Sequence, residues 1–130
     1  MKRSVITLFL TLLSFSAFAE FKPHDISRFE PTVPGDKPVV FKSTDQPVVA
    51  VQNDEFATVN YGKTELCPAG GYYLVNIKRR TYQFVDPGSC SASVKVTLET
   101  VPYANKSINV QRLTFYVGDE ITARYPLYGY

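Results

Sequence analysis

The sequence contains few of the residues on which enzyme chemistry depends. Its 130 residues include two cysteines, one methionine and no tryptophan, and the single histidine is His24. A serine or cysteine nucleophile needs a base, usually histidine, so catalysis of that kind would have to recruit His24. Metal sites need several converging ligands, and the chain has no such cluster and no C-x-x-C motif. We therefore expect no metal, no cofactor and no enzyme of these classes.

A pair of carboxylates is the one catalytic arrangement that the composition leaves open. Such hydrolases hold two carboxyl groups at a defined separation. The candidate side chains are Glu55, Glu65, Asp86 and Glu99. Because most carboxylates at turns only line the surface, the expected outcome is still a protein without catalytic activity.

An excess of charge of one sign is also missing. The formal net charge of +2 is accounted for by Lys2 and Arg3, so the rest of the chain is neutral. A neutral chain with no basic stripe and no tryptophan offers little to a nucleic acid. Beyond residue 19 no apolar run is long enough to span a bilayer, so stable membrane insertion is not expected.

The first nineteen residues have the features of a secretion signal. Lys2 and Arg3 precede an apolar core that runs from Val5 to Phe15, and small residues follow up to Ala19. This arrangement predicts a signal peptide over residues 1–19, cleaved after Ala19. The expected location of the mature chain is the periplasm or the extracellular space, where disulfide bonds persist.

The two cysteines are expected to form one structural disulfide. Cys67 and Cys90 enclose a stretch with strand-like runs at its centre and turn-forming residues at each end. Closing a loop of this length would stabilise the fold by roughly 3 kcal/mol. We expect the bond to fasten the open end of a β-hairpin.

The stretch between the cysteines predicts this hairpin. Two runs rich in β-branched and aromatic residues are expected to be neighbouring strands, residues 72–77 and 81–85. A turn centred between Arg79 and Arg80 would set Val75 opposite Phe84. A two-residue loop would need positive φ at both arginines, so a four-residue loop over residues 78–81 is expected, with the same pairing.

Apolar alternation predicts further short strands on both sides of the hairpin. They are residues 38–41, 47–51, 55–61, 94–99, 107–117 and 121–125. Within residues 107–117 the apolar residues change from even to odd positions, which predicts a bulge near Gln111 and Arg112. A three-residue loop, residues 118–120, is expected because it pairs Phe115 with Ala123.

These elements favour an all-β fold with no sustained helical period. Seven to eight short strands are expected to form a small antiparallel β-sandwich or barrel over residues 38–130, as a single domain. Residues 20–37 contain three prolines and no periodicity. They are interpreted as an extended arm, either a flexible leader or a segment that donates a strand to a partner.

The candidate binding surface is the tip of the stapled hairpin. Three adjacent cations, Lys78, Arg79 and Arg80, would form a preorganised protrusion, with Tyr72 and Tyr82 as flanking interface anchors. The protrusion suits an acidic cleft on another exported protein, or an anionic glycan. The alternative interpretation is a solvated turn whose charges discourage edge pairing.

The preferred function is therefore a small exported protein-binding module, such as an inhibitor or an immunity-type protein, that acts by stoichiometric recognition. The alternative is a structural subunit of a surface or fibre assembly, joined by strand exchange through its N-terminal arm. In its exported β-fold, single disulfide and C-terminal Tyr130 the chain is loosely similar to chaperone-assembled pilins. It departs from them at Gly129, where that family tends to place tyrosine.

Overall fold

The computed structural model describes residues 19–103 and 108–127, and these residues form an all-β fold. One 3-10 helix, Pro23–Arg28, precedes eight strands. The strands are β1 (Glu30–Pro31), β2 (Val48–Gln52), β3 (Phe56–Tyr61), β4 (Gly71–Asn76), β5 (Thr81–Val85), β6 (Val94–Pro102), β7 (Asn109–Val117) and β8 (Glu120–Pro126). The predicted all-β class and the approximate strand number are thus confirmed. The predicted signal peptide lies almost wholly outside the described residues.

The strands form two separate sheets. One sheet has five strands in the order β1-β5-β4-β3-β2, and the other has three in the order β6-β7-β8. Neighbouring strands are antiparallel except for β1, which pairs with β5 in parallel. Within the described part of the chain neither sheet closes into a barrel.

Side chains from both sheets share one of the two hydrophobic cores. Tyr72 on β4 meets Phe115 on β7 edge to face, with ring centroids 4.9 Å apart. The buried members of this core are Phe56, Tyr72, Leu74, Val85, Leu113, Phe115 and Leu127. Every second residue of β4 points into this core. The residues between them point to the opposite face of the sheet, where they need a separate cover.

The second core covers that opposite face and corrects the interpretation of residues 20–37. They do not form an extended arm, because they include the 3-10 helix and place Phe21, Ile26 and Phe29 in a core with Val75 and Tyr82. The prolines obscured the apolar spacing of these residues. The five-stranded sheet therefore has a hydrophobic core on each face, and one of these cores includes residues upstream of residue 38.

Residues 38–41 are not a strand, contrary to the prediction. Phe41 is buried in the second core, but the amide of Val39 donates to the hydroxyl of Tyr82 at 2.8 Å instead of joining a strand ladder. The position beside β5 is taken by β1, whose Glu30 lies opposite Thr81.

The β4–β5 hairpin has the predicted faces but a register two residues away from the predicted one. Val75 lies opposite Tyr82, and Tyr73 lies opposite Phe84. The four-residue loop occupies residues 77–80, one position earlier than predicted. Its last residue, Arg80, takes a φ of 60°, the left-handed conformation that we expected an arginine to avoid.

The β7–β8 turn keeps one predicted pair of residues but has a shorter loop than predicted. Phe115 lies opposite Ala123 as predicted, but Tyr116 lies opposite Ile121, so Thr122 is an extra, bulged residue. The loop is therefore the two residues Gly118 and Asp119. A glycine with a φ of 61° in the first loop position is typical of a type II′ turn. The bulge predicted near Gln111 is absent, since β6 and β7 pair without any shift.

The predicted disulfide is confirmed. Cys67 and Cys90 are bonded, with their Cα atoms 4.5 Å apart. The bond joins the segment that follows β3 to the segment that follows β5, at the open end of the β4–β5 hairpin. A bond of this kind suits an oxidising compartment.

Candidate functional site

The predicted tip exists as a turn at one end of the β4–β5 hairpin. Lys78, Arg79 and Arg80 are all exposed. Asn76 organises the turn, because its side-chain oxygen accepts from the Arg79 amide and its carbonyl accepts from the Arg80 amide, each at 2.9 Å. The structure therefore brings the three cations together in one fixed turn.

Arg80 is nevertheless occupied by its own chain. Its guanidinium carbon lies 4.7 Å from the centroid of the Phe29 ring, within the range of a cation–π interaction. Its carbonyl accepts a hydrogen bond from the amide of Glu30 at 3.0 Å. Lys78 and Arg79 are thus the tip cations that remain for a partner.

The two tyrosines assigned to the tip require correction. Tyr72 is 5% exposed and Tyr82 is 3% exposed, and they belong to different cores on opposite faces of the sheet. Burial raises the pKa of Tyr72. The hydroxyl of Tyr82 accepts from Val39, so its polar end is also satisfied inside the fold. These tyrosines stabilise the cores and present no side chain beside the tip.

The opposite end of the hairpin carries a loop that the sequence reasoning did not single out. We call residues 62–70 the Leu66 loop, because Leu66 is 95% exposed at its apex. The amide of Thr64 donates to the carbonyl of Cys67 at 3.1 Å, and the amide of Cys67 donates to the Thr64 hydroxyl at 2.9 Å. These reciprocal bonds close a tight ring around Leu66.

The base of the Leu66 loop is fastened independently. The side-chain amide of Asn60 donates to the carbonyls of Ala69 and Gly71, each at 2.9 Å. The amide of Ala69 donates to the carbonyl of Cys90 at 3.0 Å, beside the disulfide. At Gly70, which has a φ of 69°, a Cβ atom would lie 2.9 Å from the Tyr61 carbonyl oxygen. The loop is therefore held by a covalent bond, by side-chain hydrogen bonds and by close backbone packing.

Open clefts flank the Leu66 loop on both sides. The first, of 440 Å³, is lined by Gln46, Val48, Asn60, Tyr61, Gly62 and Lys63. The second, of 460 Å³, is lined by Cys67, Gly70, Phe84, Asp86, Pro87, Gly88, Ser89 and Cys90, and we call it the Phe84 cleft. Residues from the start of the loop thus line one cleft and residues from its end line the other, an arrangement that suits contact with another macromolecule.

A hydrogen bond beside the first cleft fixes the residue from which the loop departs. The hydroxyl of Tyr61 donates to the carboxylate of Asp45 at 2.7 Å. This bond lowers the pKa of Asp45, with a further contribution from the amide of Lys42, and it raises the pKa of Tyr61. The last residue of β3 is thereby tied to the N-terminal segment.

The residues considered for catalysis contact their own neighbours. The Nε2 atom of His24 lies 3.1 Å from the carbonyl oxygen of Lys42. Glu55 accepts from Gln111 at 2.8 Å. Glu99 forms an ion pair with Arg112 at 3.0 Å, and the hydrogen bond from Arg112 lowers its pKa. Among the described residues no group of three or more His, Cys, Asp or Glu side chains could hold a metal ion.

Leu66 and Phe84 are the functional candidates that the sequence reasoning missed. Leu66 had a usable signal, because it is a lone apolar residue between the polar run Lys63–Glu65 and a cysteine. Phe84 had none, since it alternates like a core residue and yet is 57% exposed.

Known proteins offer no guide to this site. Comparison of the chain with protein-family models, with curated proteins and with solved structures finds no match. In the described part of the chain, no helix is long and apolar enough to cross a membrane. The function of the chain must therefore be inferred from its own geometry.

Proposed function

We propose that this protein is a small exported binding module that recognises another exported protein stoichiometrically. The observation that carries the proposal is the Leu66 loop, in which a 95% exposed leucine is held on a backbone fixed by a disulfide and hydrogen bonds. Single exposed leucines are common on mobile surface segments. A leucine on a rigid apex loses little entropy on insertion into a pocket, which is the property of an interface anchor.

The conformation of the apex narrows the kind of recognition. Glu65 and Leu66 lie in a bend, and the ring from Thr64 to Cys67 keeps them there. Peptides that add to a sheet edge must be extended over several residues. The Leu66 loop is therefore better suited to insert one apolar side chain into a pocket than to imitate an extended peptide. An inhibitor or immunity protein of this type would block its partner by occupying that pocket.

Export supports the same proposal. The N-terminal pattern of residues 1–19 favours secretion, and the Cys67–Cys90 bond would persist in the periplasm or outside the cell. Lys78 and Arg79 at the tip remain a second proposed contact, suited to an acidic partner surface or an anionic glycan.

Site-specific crosslinking tests the proposal. A photoreactive phenylalanine analogue replaces Leu66 in the full-length chain, which is expressed in its own host. The matched control carries the analogue at Val40, which is 69% exposed on another part of the surface, and a third variant carries it at Arg79. We expect one adduct of 1:1 stoichiometry from position 66 and none from position 40.

The outcomes at the three positions separate the candidate surfaces. An adduct from position 79 alone would move the binding surface to the hairpin tip. Equal adducts from all three positions, or none from any, would contradict stoichiometric recognition through a defined surface.

The alternative function, a fibre subunit joined by strand exchange, requires residues 20–41 to leave the fold. Those residues bury Ile26 and Phe29 in their own core and supply β1 to their own sheet. Release would expose these side chains at a cost of several kcal/mol. Because packing within one chain already protects this segment from proteolysis, solution mass is the discriminating measurement. A monomer is expected, and a ladder of assemblies would favour the subunit.

A further inference from the structure

The Phe84 cleft, beside the Leu66 loop, presents an exposed aromatic ring. Two carbons of the Phe84 ring lie close to Gly71, where a Cβ atom would come within 2.8 Å of the nearer one. Tyr73 packs against Phe84 edge to face, with centroids 5.9 Å apart. The lack of a side chain at Gly71 thus lets the ring approach the strand, while Phe84 as a whole remains 57% exposed. A large aromatic surface in a fixed orientation is available to a ligand.

A single carboxylate lies in the same cleft. Among the described residues that line it, Asp86 has the one ionisable side chain. One oxygen of this carboxylate accepts from the amide of Gly88 at 2.8 Å, and the Asp86 carbonyl accepts from the hydroxyl of Tyr125 at 2.6 Å. These bonds fix the residue without neutralising its charge. The cleft therefore combines a negative charge with the face of an aromatic ring.

This combination is the complement of a guanidinium group. Arginine stacks on aromatic faces and forms two parallel hydrogen bonds with a carboxylate, whereas a lysine ammonium is more strongly hydrated and has no planar face. The chain already contains one stacking contact of this kind, because Arg80 lies over the Phe29 ring at the hairpin tip. No cation lies over Phe84 in the described contacts.

We infer that the Phe84 cleft receives an arginine side chain of the protein partner. This inference rests on the proposed function and deepens it, because it states what the partner must present. The partner carries an apolar pocket for Leu66 and, beside it, an exposed arginine that stacks on Phe84 and pairs with Asp86. Cys67 follows Leu66 directly and lines the cleft, so the disulfide fixes the spacing of the two contacts.

An NMR titration tests the cleft without the partner. The probe is N-acetyl-arginine amide, and the control is N-acetyl-citrulline amide, which has the same shape and no charge. With 15N-labelled mature protein, the arginine probe is expected to shift the amides of Phe84, Asp86 and Gly88 at millimolar concentration. Its affinity is expected to exceed that of the citrulline control at least threefold.

Two variants and a control variant complete the titration. Asp86→Asn is expected to reduce the affinity for the arginine probe to the citrulline level, and Phe84→Leu to reduce it at least threefold. Asp119→Asn, at the exposed β7–β8 turn, is expected to have no effect. Equal shifts with both probes, or an Asp86→Asn variant that binds like the original chain, would overturn the inference.

The two proposals fail in different ways. If position 66 crosslinks a partner but the arginine probe does not bind, only the arginine cleft is wrong. If the probe binds as expected but none of the three positions gives a 1:1 adduct, the cleft stands as a guanidinium site and the proposed function is wrong.

Discussion

The two ends of the β4–β5 hairpin are fixed by different means. At the tip the chain uses weak contacts with itself, since Arg80 lies over Phe29 and accepts a hydrogen bond from Glu30. At the other end a disulfide and close glycine packing hold the Leu66 loop. Each end places an aromatic ring near the surface. The tip covers its ring with its own arginine, whereas Phe84 is left open.

This difference shows where interaction potential is concentrated. The contacts that Arg80 makes with Phe29 and Glu30 already stabilise the free protein, so Arg80 would add less binding energy in a complex. At the disulfide end the exposed groups contribute little to folding, and the scaffold that carries them is fastened without them. Rigid support combined with unused surface is what preorganised binding requires.

The largest effect on the free energy of unfolding is expected from a substitution that disrupts the close packing at the disulfide end. Gly88 has a φ of +79°, and a Cβ atom there would collide with the carbonyl oxygen of Thr122. Gly88→Ala should lower the free energy of unfolding by about 4 kcal/mol, through backbone strain and displacement of the β8 bulge. The matched control is Gly62→Ala, whose φ of +83° is similar but whose Cβ would meet nothing within 4 Å.

Urea denaturation of both glycine variants measures the comparison. Gly62→Ala should cost only about 1 kcal/mol, the cost of left-handed backbone alone. Equal losses in the two variants would show that the contact with Thr122 does not constrain this end.

The next largest effect is expected when the disulfide bond is removed. The double variant Cys67→Ser/Cys90→Ser should lose about 3 kcal/mol of stability, because the denatured chain regains the entropy of a loop that spans a sequence separation of 23 residues. Hydrogen exchange should then accelerate more at the amide of Ala69, which donates to Cys90, than at the amide of Arg80 in the tip. A uniform acceleration at both amides would mean that the two ends are not fixed independently.

Much of the strand content follows from the sequence; along β6, for example, the alternation reports which side chains face a core. The disulfide also follows, since only one pairing is possible. The N-terminal segment does not follow. Its prolines suggested an extended arm, whereas its apolar side chains form a layer that only tertiary packing reveals.

The hairpin register failed for a local reason. Moving the four-residue loop by one position leaves every side chain on the same face, so the apolar pattern could not distinguish the two registers. The deciding feature is the left-handed backbone at Arg80, which is stabilised by contacts with Phe29 and Glu30 that are remote in sequence. Similarly, Tyr72 and Phe84 both alternate like core residues. Tyr72 is covered by the second sheet, whereas Phe84 lies on the same face as Tyr82, which the N-terminal residues cover only in part.

A smaller effect separates backbone strain from side-chain contact at the tip. Arg80→Ala keeps the left-handed backbone and loses the cation–π interaction, so it should cost about 1 kcal/mol. Arg80→Gly loses the same interaction but relieves the strain, so its stability should lie within about 0.5 kcal/mol of the original chain. Thermal or urea unfolding of the pair gives the difference. If alanine and glycine are equivalent, Arg80 is not strained.

A further effect is a pH dependence at the start of the Leu66 loop. The pKa of Asp45 is lowered below 3.8 in the fold, chiefly by the Tyr61 hydroxyl, so this contribution to stability is present above pH 3.8 and disappears as the pH falls through the lower folded value. Tyr61→Phe should flatten the stability profile in that acidic window and leave the profile near neutrality parallel to the original. An unchanged acidic slope would mean that Tyr61 does not hold Asp45.

The smallest expected effect on folding belongs to the exposed groups at both ends. Leu66→Ser and the double variant Lys78→Ser/Arg79→Ser should each change the free energy of unfolding by less than about 0.5 kcal/mol, because none of these side chains is buried. The two variants should differ in partner capture, with a large loss for Leu66→Ser and a minor loss for the tip. If instead Leu66→Ser destabilised the fold, the leucine would be a structural residue, and the disulfide end would lose its claim as the binding surface. Neutral folding combined with lost capture is the signature of a side chain that serves recognition.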